Sequence, residues 1–305
     1  MRTGSPIGLS VAIWLLGCTC VEAATSANAP CNDELTHSIP DRPHDAPTGS
    51  TFVSEVAGTA DDEREARILD TLLAGNMPAF LRKLKPVHLQ GAAGTLSDVT
   101  VCVFPDYLAV GSDENFFLTP MRLQTALAVA SRFHFTLPTR RIVDAIYAQA
   151  KMHLQPQPLP ASDAMRSTAY YSQHNELVRE QRAALTDDLG FLTAGDKKDL
   201  VLTNRLWSNP GRVAIYGWHR PDGNPIQPLS TVHGIRYADY SHGVRLVSDT
   251  AYVGGRATPL LALLQDRQKA TAVSDEGEIR NAADLLKHLR SQPLPPAHAF
   301  TSTRN

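Results

Sequence analysis

No two cysteines in this chain stand in a Cys-x-x-Cys spacing, and neither an HExxH segment nor a GxSxG segment occurs. The first absence leaves a cysteine zinc site unsupported. The second removes the helical metalloprotease signature, and the third removes the strand–turn–helix setting of a hydrolase serine. Charge of one sign is also missing: 29 Lys and Arg against 31 Asp and Glu leave a formal net charge of −2. A nucleic-acid binder would show a basic stripe. The short clusters Arg82-Lys83-Leu84-Lys85 and Arg140-Arg141 fall at an expected helix end and helix start, where solvated faces account for them. There is no internal repeat, and beyond the N-terminal segment no apolar run is long enough to cross a bilayer.

What the chain does have begins with that segment. Arg2 precedes an apolar run from Ile7 to Gly17, and small residues follow, with Val21-Glu22-Ala23 as a cleavage site. This is the layout of a secretory signal peptide over residues 1–23. Leu15-Leu16-Gly17-Cys18 also resembles a lipoprotein lipobox, which would end the signal at residue 17 and acylate Cys18. Either route puts the mature chain outside the cytoplasm: periplasmic, secreted or lipid-anchored. There Cys31 and Cys102 are permitted a disulfide; a bridge and two separate thiols both remain open.

Residues 24–58 are rich in Ser, Thr, Pro, Asp and Ala, and this composition predicts a disordered linker. A single globular domain is expected over residues 59–290, and a flexible tail over 291–305. Asp62 and Glu65 read as a capping box for a first helix. VTVCVF and YLAVGS around Pro105-Asp106 read as a hairpin. Thr119-Pro120 and Thr139 read as helix starts, and a long helix is expected from about residue 164 to 184, with His174 on its surface. Strands then cluster toward the C-terminal half. The expected class is α+β, an antiparallel sheet in the C-terminal half packed with helices from the N-terminal half.

The densest chemistry lies between Arg212 and Gly255, which holds His219, His233 and His242 with Asp239, Ser241, Arg245, Tyr237 and Trp218. RVAIYGWH reads as a strand with Tyr216 and Trp218 on one face, and Pro221-Asp222-Gly223-Asn224 as a turn. PIQPLSTV, with two prolines, is confined to an edge. In one straight strand His233 and Asp239 would lie about 20 Å apart. A shared site therefore requires a bend at Gly234 or within residues 236–239.

The pair His233-Gly234, followed by Ser241-His242-Gly243 and Val244-Arg245-Leu246, resembles the motifs of L,D-transpeptidases of the YkuD type. That family continues Ser-His-Gly into its nucleophilic cysteine, and Val244 stands in that place here. The resemblance implies an envelope setting with peptidoglycan or another envelope polymer as partner, but without a thiolate the acyl transfer of that family has no nucleophile.

Three chemistries fit the residues themselves. His233, Asp239 and His242 would make a zinc set with an open position for water, with His219 as fourth ligand or base. Ser241 would be a nucleophile with a histidine base and Asp239 as orienter. A binding surface without catalysis would use the same aromatics and histidines. Arg245, Lys197 and Lys198 are the cations available to an anionic substrate, with Tyr237 and Trp218 as further substrate contacts. The expectation is an exported hydrolase or transferase acting on envelope peptide or glycan material; the alternative is a non-catalytic envelope binding or scaffold protein.

Overall fold

The computed structural model describes residue 1 and residues 30–91, 98–186 and 188–291. Apart from its first residue, the expected signal peptide lies outside these residues. So do Cys18 and the tail beyond Ser291.

From Cys31 onward the chain is packed onto the body. Asn32 caps a 3-10 turn at Asp33–Thr36, and Thr48 caps helix α1 (Gly49–Glu55) by accepting from Thr51 N. Ile39, Phe52 and Val56 are buried, and Cys31 is bonded to Cys102. Residues 30–58, expected as a linker, thus belong to the folded domain. A few large apolar residues and one covalent bond outweigh the polar composition around them.

The helices that follow are α2 (Asp61–Leu73), α3 (Leu123–Arg132), α4 (Arg140–Gln149), α5 (Thr168–Leu185), α6 (Arg205–Ser208), α7 (Leu260–Gln265) and α8 (Ala282–Ser291). The strands are β1 (Lys85–Leu89), β2 (Val99–Val103), β3 (Ala109–Gly111), β4 (Phe116–Leu118), β5 (Phe135–Thr136), β6 (Met152–His153), β7 (Thr193–Ala194), β8 (Lys198–Leu200), β9 (Ile215–His219), β10 (Pro225–Ser230), β11 (His242–Gly243), β12 (Val247–Val253) and β13 (Arg256–Pro259).

The class is α+β, with mostly antiparallel sheets and helices packed on the strands. The largest sheet runs β1-β2-β12-β13, with β5 also on β12, so it joins strands from both halves of the chain. The second runs β10-β9-β8-β11 and carries the candidate site. Its proline-bearing β10 lies at the edge, and β11 runs parallel to β8, pairing His242 with Lys198 and Gly243 with Asp199. An added Cβ at Gly243 would meet the Tyr107 ring at 2.6 Å and Lys197 Cβ at 2.7 Å, so this register admits only glycine there.

Three local expectations give way to distant partners. β2 pairs with β1 and β12, and β3 pairs with β4, so no hairpin forms across Pro105-Asp106. Instead Phe104 N donates to Leu246 O and Leu108 N to Val244 O. Glu65 is buried and does not close a capping box on Asp62. Its carboxylate accepts Arg122 N, at 3.1 Å to each oxygen, and the Thr125 hydroxyl. α3 starts at Leu123 rather than at Thr119-Pro120, with the N–H of its N-cap residue Arg122 held from α2.

Candidate functional site

β9 does not alternate as a regular strand would. Gly217 and Trp218 both have left-handed backbone, at φ 105° and 59°. For a bulky residue that conformation costs on the order of 1–3 kcal/mol. Its consequence is a change of face. Tyr216 OH donates to Asp144 Oδ1 at 2.7 Å, and His219 Nε2 lies 3.1 Å from the same oxygen. His219 also stacks on Tyr147 of α4, with ring centres 4.5 Å apart. Trp218 goes to the other side, its ring 6.4 Å from His174 and 6.3 Å from Tyr240. His219, expected beside the other two histidines, thus faces α4.

The bend needed after β10 is present. Tyr237 N donates to Gly234 O at 2.9 Å, and His242 N to Asp239 O at 3.0 Å. These two turns stack His233 on Tyr237, with ring centres 4.0 Å apart, and bring the rings to 6.2 and 5.7 Å from His242. The His233–Tyr237 stack, half-buried, lies over His242, Asp239 and Ser241, which are buried.

Asp239 accepts three hydrogen bonds. Its Oδ1 accepts Ser241 N at 2.8 Å and the Ser241 hydroxyl, and its Oδ2 accepts Tyr237 OH at 3.0 Å. Burial works to raise its pKa, but His242, the Ser241 bonds and Lys198 outweigh it and hold the carboxyl down at about 2. Ser241 therefore donates to a carboxylate rather than to a histidine, and the serine–histidine pair of a nucleophilic triad is not assembled. His242 is the opposite case. Both its ring nitrogens are buried and have no hydrogen-bond partner among the described residues. Burial lowers its pKa to about 4, with Asp239 pulling the other way and Lys198 adding to the lowering. At neutral pH it is an uncharged base beside a permanent carboxylate.

Lys198 projects beside this pair, its Nζ 5.0 Å from the Trp218 ring centre. Burial lowers its pKa and Asp239 opposes that. Behind it Lys197 is buried, donating to Tyr240 O at 2.7 Å and to His174 Nδ1 at 3.0 Å. His174 is not a surface residue: it is buried, and burial with the Lys197 charge lowers its pKa to about 2.

Arg245 is wholly buried as well, over the Tyr107 ring at 4.3 Å, and donates to Phe104 O and Thr193 O. It fastens segments of the core and is not placed to meet a substrate. Val244, in the position of the resemblance's cysteine, is a buried core residue. Around Arg245 lies a charged layer that no motif announced: Arg182 paired with Asp106, Tyr107 OH donating to Asp199 at 2.9 Å, and Asp196 with no partner for either carboxylate oxygen. Burial and the Asp106 charge raise the pKa of Asp196 to about 7.

Among the described residues no three His, Cys, Asp or Glu side chains are grouped so as to hold a metal ion. The structure draws His233, Asp239 and His242 together as neighbours, but with Asp239 already committed to three donors they do not present a ligand set. No described helix is long and apolar enough to cross a membrane. Comparison with protein-family models, with curated proteins and with solved structures finds no match to this chain.

Proposed function

We propose that the chain is an exported hydrolase or transferase acting on peptide or glycan material of the cell envelope, with His242 as its general base. The observation that carries this reading is the unpartnered imidazole of His242. Buried polar atoms are nearly always bonded, so a ring with both nitrogens unpaired calls for an explanation, and a role as proton acceptor in catalysis supplies one. His242 would take the proton of an attacking water or acceptor hydroxyl as its oxygen adds to the scissile centre. Asp239 would stabilise the imidazolium as it forms, since its charge is fixed and within reach. The His233–Tyr237 stack must shift to admit substrate, and the turn at Gly234–Tyr237 is where it would hinge. Export is supported by the signal-peptide layout and by the Cys31–Cys102 bond.

His242→Gln tests this directly. Turnover of peptidoglycan fragments, followed by chromatography, should fall by roughly 100-fold or more while the circular dichroism spectrum is unchanged. Undiminished turnover in the variant would remove His242 from the chemistry. A second reading, binding without catalysis, is favoured by the burial of His242, Asp239 and Ser241 beneath partly exposed aromatic rings. Retention on sacculi with no released product from wild type would establish it instead.

A further inference from the structure

The three cations that the sequence offers to an anionic partner have different fates. Arg245 gives its guanidinium to two core carbonyls, and Lys197 gives its ammonium to Tyr240 O and His174 Nδ1. Lys198 alone of the three is partly exposed, and among the described residues its ammonium makes no ion pair at contact distance and no hydrogen bond; it lies over the face of Trp218 and feels the charge of Asp239. The nearby carboxylate of Asp239 accepts three hydrogen bonds from Ser241 and Tyr237 and acts on Lys198 by charge, without a direct bond.

Two more donors belong to the same group of rings. Trp218 Nε1 is buried with no partner, and an indole nitrogen can only donate. His174 Nε2 is also buried and unpartnered. Because the Lys197 ammonium donates to Nδ1, the neutral His174 ring must carry its proton on Nε2, which makes that nitrogen a donor too. An ammonium, an indole N–H and an imidazole N–H therefore lie around Trp218, and among the described residues none of the three donates a hydrogen bond. Donors of this kind are completed by an oxygen anion, and a carboxylate supplies two acceptor atoms.

We propose that Lys198, backed by Trp218 and His174, is a recognition site for a carboxylate on the substrate, adjacent to His242. The proposal rests on the hydrolase reading and narrows its substrate class to material bearing a free carboxylate, from a peptide or from an acidic sugar. The carboxylate would sit on the Lys198 ammonium, which fixes the scissile bond against the His242 ring across the β8–β11 pair.

Ligand-detected NMR with N-acetylalanine and glucuronate as probes, and N-acetylalaninamide and glucose as neutral controls, tests this on the full mature chain. Wild type should bind one or both acids and neither control, and the acid preferred identifies the source. Lys198→Gln should weaken that binding at least tenfold, and Lys198→Arg, which keeps a cation able to bond a carboxylate, should retain it within about threefold. Trp218→Phe keeps an aromatic ring and deletes the donor; it should weaken binding several-fold, and serves alone if Lys198→Gln does not fold. Binding of the neutral controls as well as the acids, binding of neither acid, or affinity unchanged in Lys198→Gln or Trp218→Phe would overturn the proposal. Acid binding without any turnover would overturn the hydrolase reading and leave this one standing.

Discussion

At the scale of single residues, buried neutral histidine couples stability to acid. Burial holds His242 at about 4, below the ordinary histidine value of about 6.5. The unfolded chain therefore binds more protons than the folded one between those values. The contribution is full above the unfolded pKa and is lost as pH falls toward the folded one. At about 1.4 kcal/mol per unit, His242 removes on the order of 3 kcal/mol by pH 4. Asp196 and Asp199, raised by burial to about 7 and about 6, act in the opposite sense, since they become costly as pH rises through those values. The total profile mixes the two, so the diagnostic quantity is a difference. His242→Gln, which cannot titrate, should gain on wild type by about 3 kcal/mol as pH is lowered from 7 to 4, measured by urea unfolding at several pH values. A difference independent of pH would mean that His242 is not a buried neutral base.

At the scale of elements, the buried carboxylate of Glu65 joins α2 to the start of α3, beside the ion pairs of Arg122 with Asp61 and Asp62. Glu65 satisfies the N–H of Arg122 and the hydroxyl of Thr125, work that a residue just before α3 would ordinarily do. Glu65→Ala should leave those donors buried and unpaired, at a cost of about 2–3 kcal/mol, read from the unfolding midpoint. Glu65→Gln, which keeps an acceptor, should recover roughly half. An unchanged midpoint in Glu65→Ala would show that the cap contributes nothing.

The same contact explains what the sequence made legible and what it did not. Asp62 and Glu65 have capping-box spacing, and nothing local says that Glu65 turns away to a helix 57 residues on. The Pro105-Asp106 hairpin failed for the same reason, since residues 244–246 offered the backbone of residues 104–108 a better ladder. Where the signal was local, it held: the edge position of the proline-bearing strand and the Thr139 cap. His174 and Lys197, by contrast, meet only because the fold brings α5 against the residue that precedes β8, and no spacing in the sequence encodes that. The change of face at Gly217-Trp218, which removes His219 from the site, depends on a backbone conformation that a tryptophan rarely adopts.

At the scale of the whole molecule, the disulfide decides where the domain begins. Cys31 precedes every described helix, and Cys102 lies in β2, an inner strand of the largest sheet. The bond closes a loop over a sequence separation of 71 that contains α1, α2 and β1. In the chain-entropy account a loop of that length removes about 4 kcal/mol from the unfolded state, and measured effects run about 2–4 kcal/mol. Beyond Ile39, Phe52 and Val56 in the core, the segment it staples is tied to the body by separate hydrogen bonds rather than by a strand ladder: Arg42 to Asn76 Oδ1 and Gly111 O, Ser38 to Phe133 O, Arg82 to Ile39 O and Pro40 O, and Gly49 N to Asn115 O. Losing the bond should therefore loosen residues 30–58 before the sheets. Reduction with dithiothreitol, or Cys31→Ser with Cys102→Ser, should lower the stability by about 2–4 kcal/mol in guanidinium unfolding. Limited proteolysis should then cut within residues 30–58 while the sheet strands stay protected. Equal stability and an unchanged cleavage pattern with and without reductant would mean that these residues are held by packing alone.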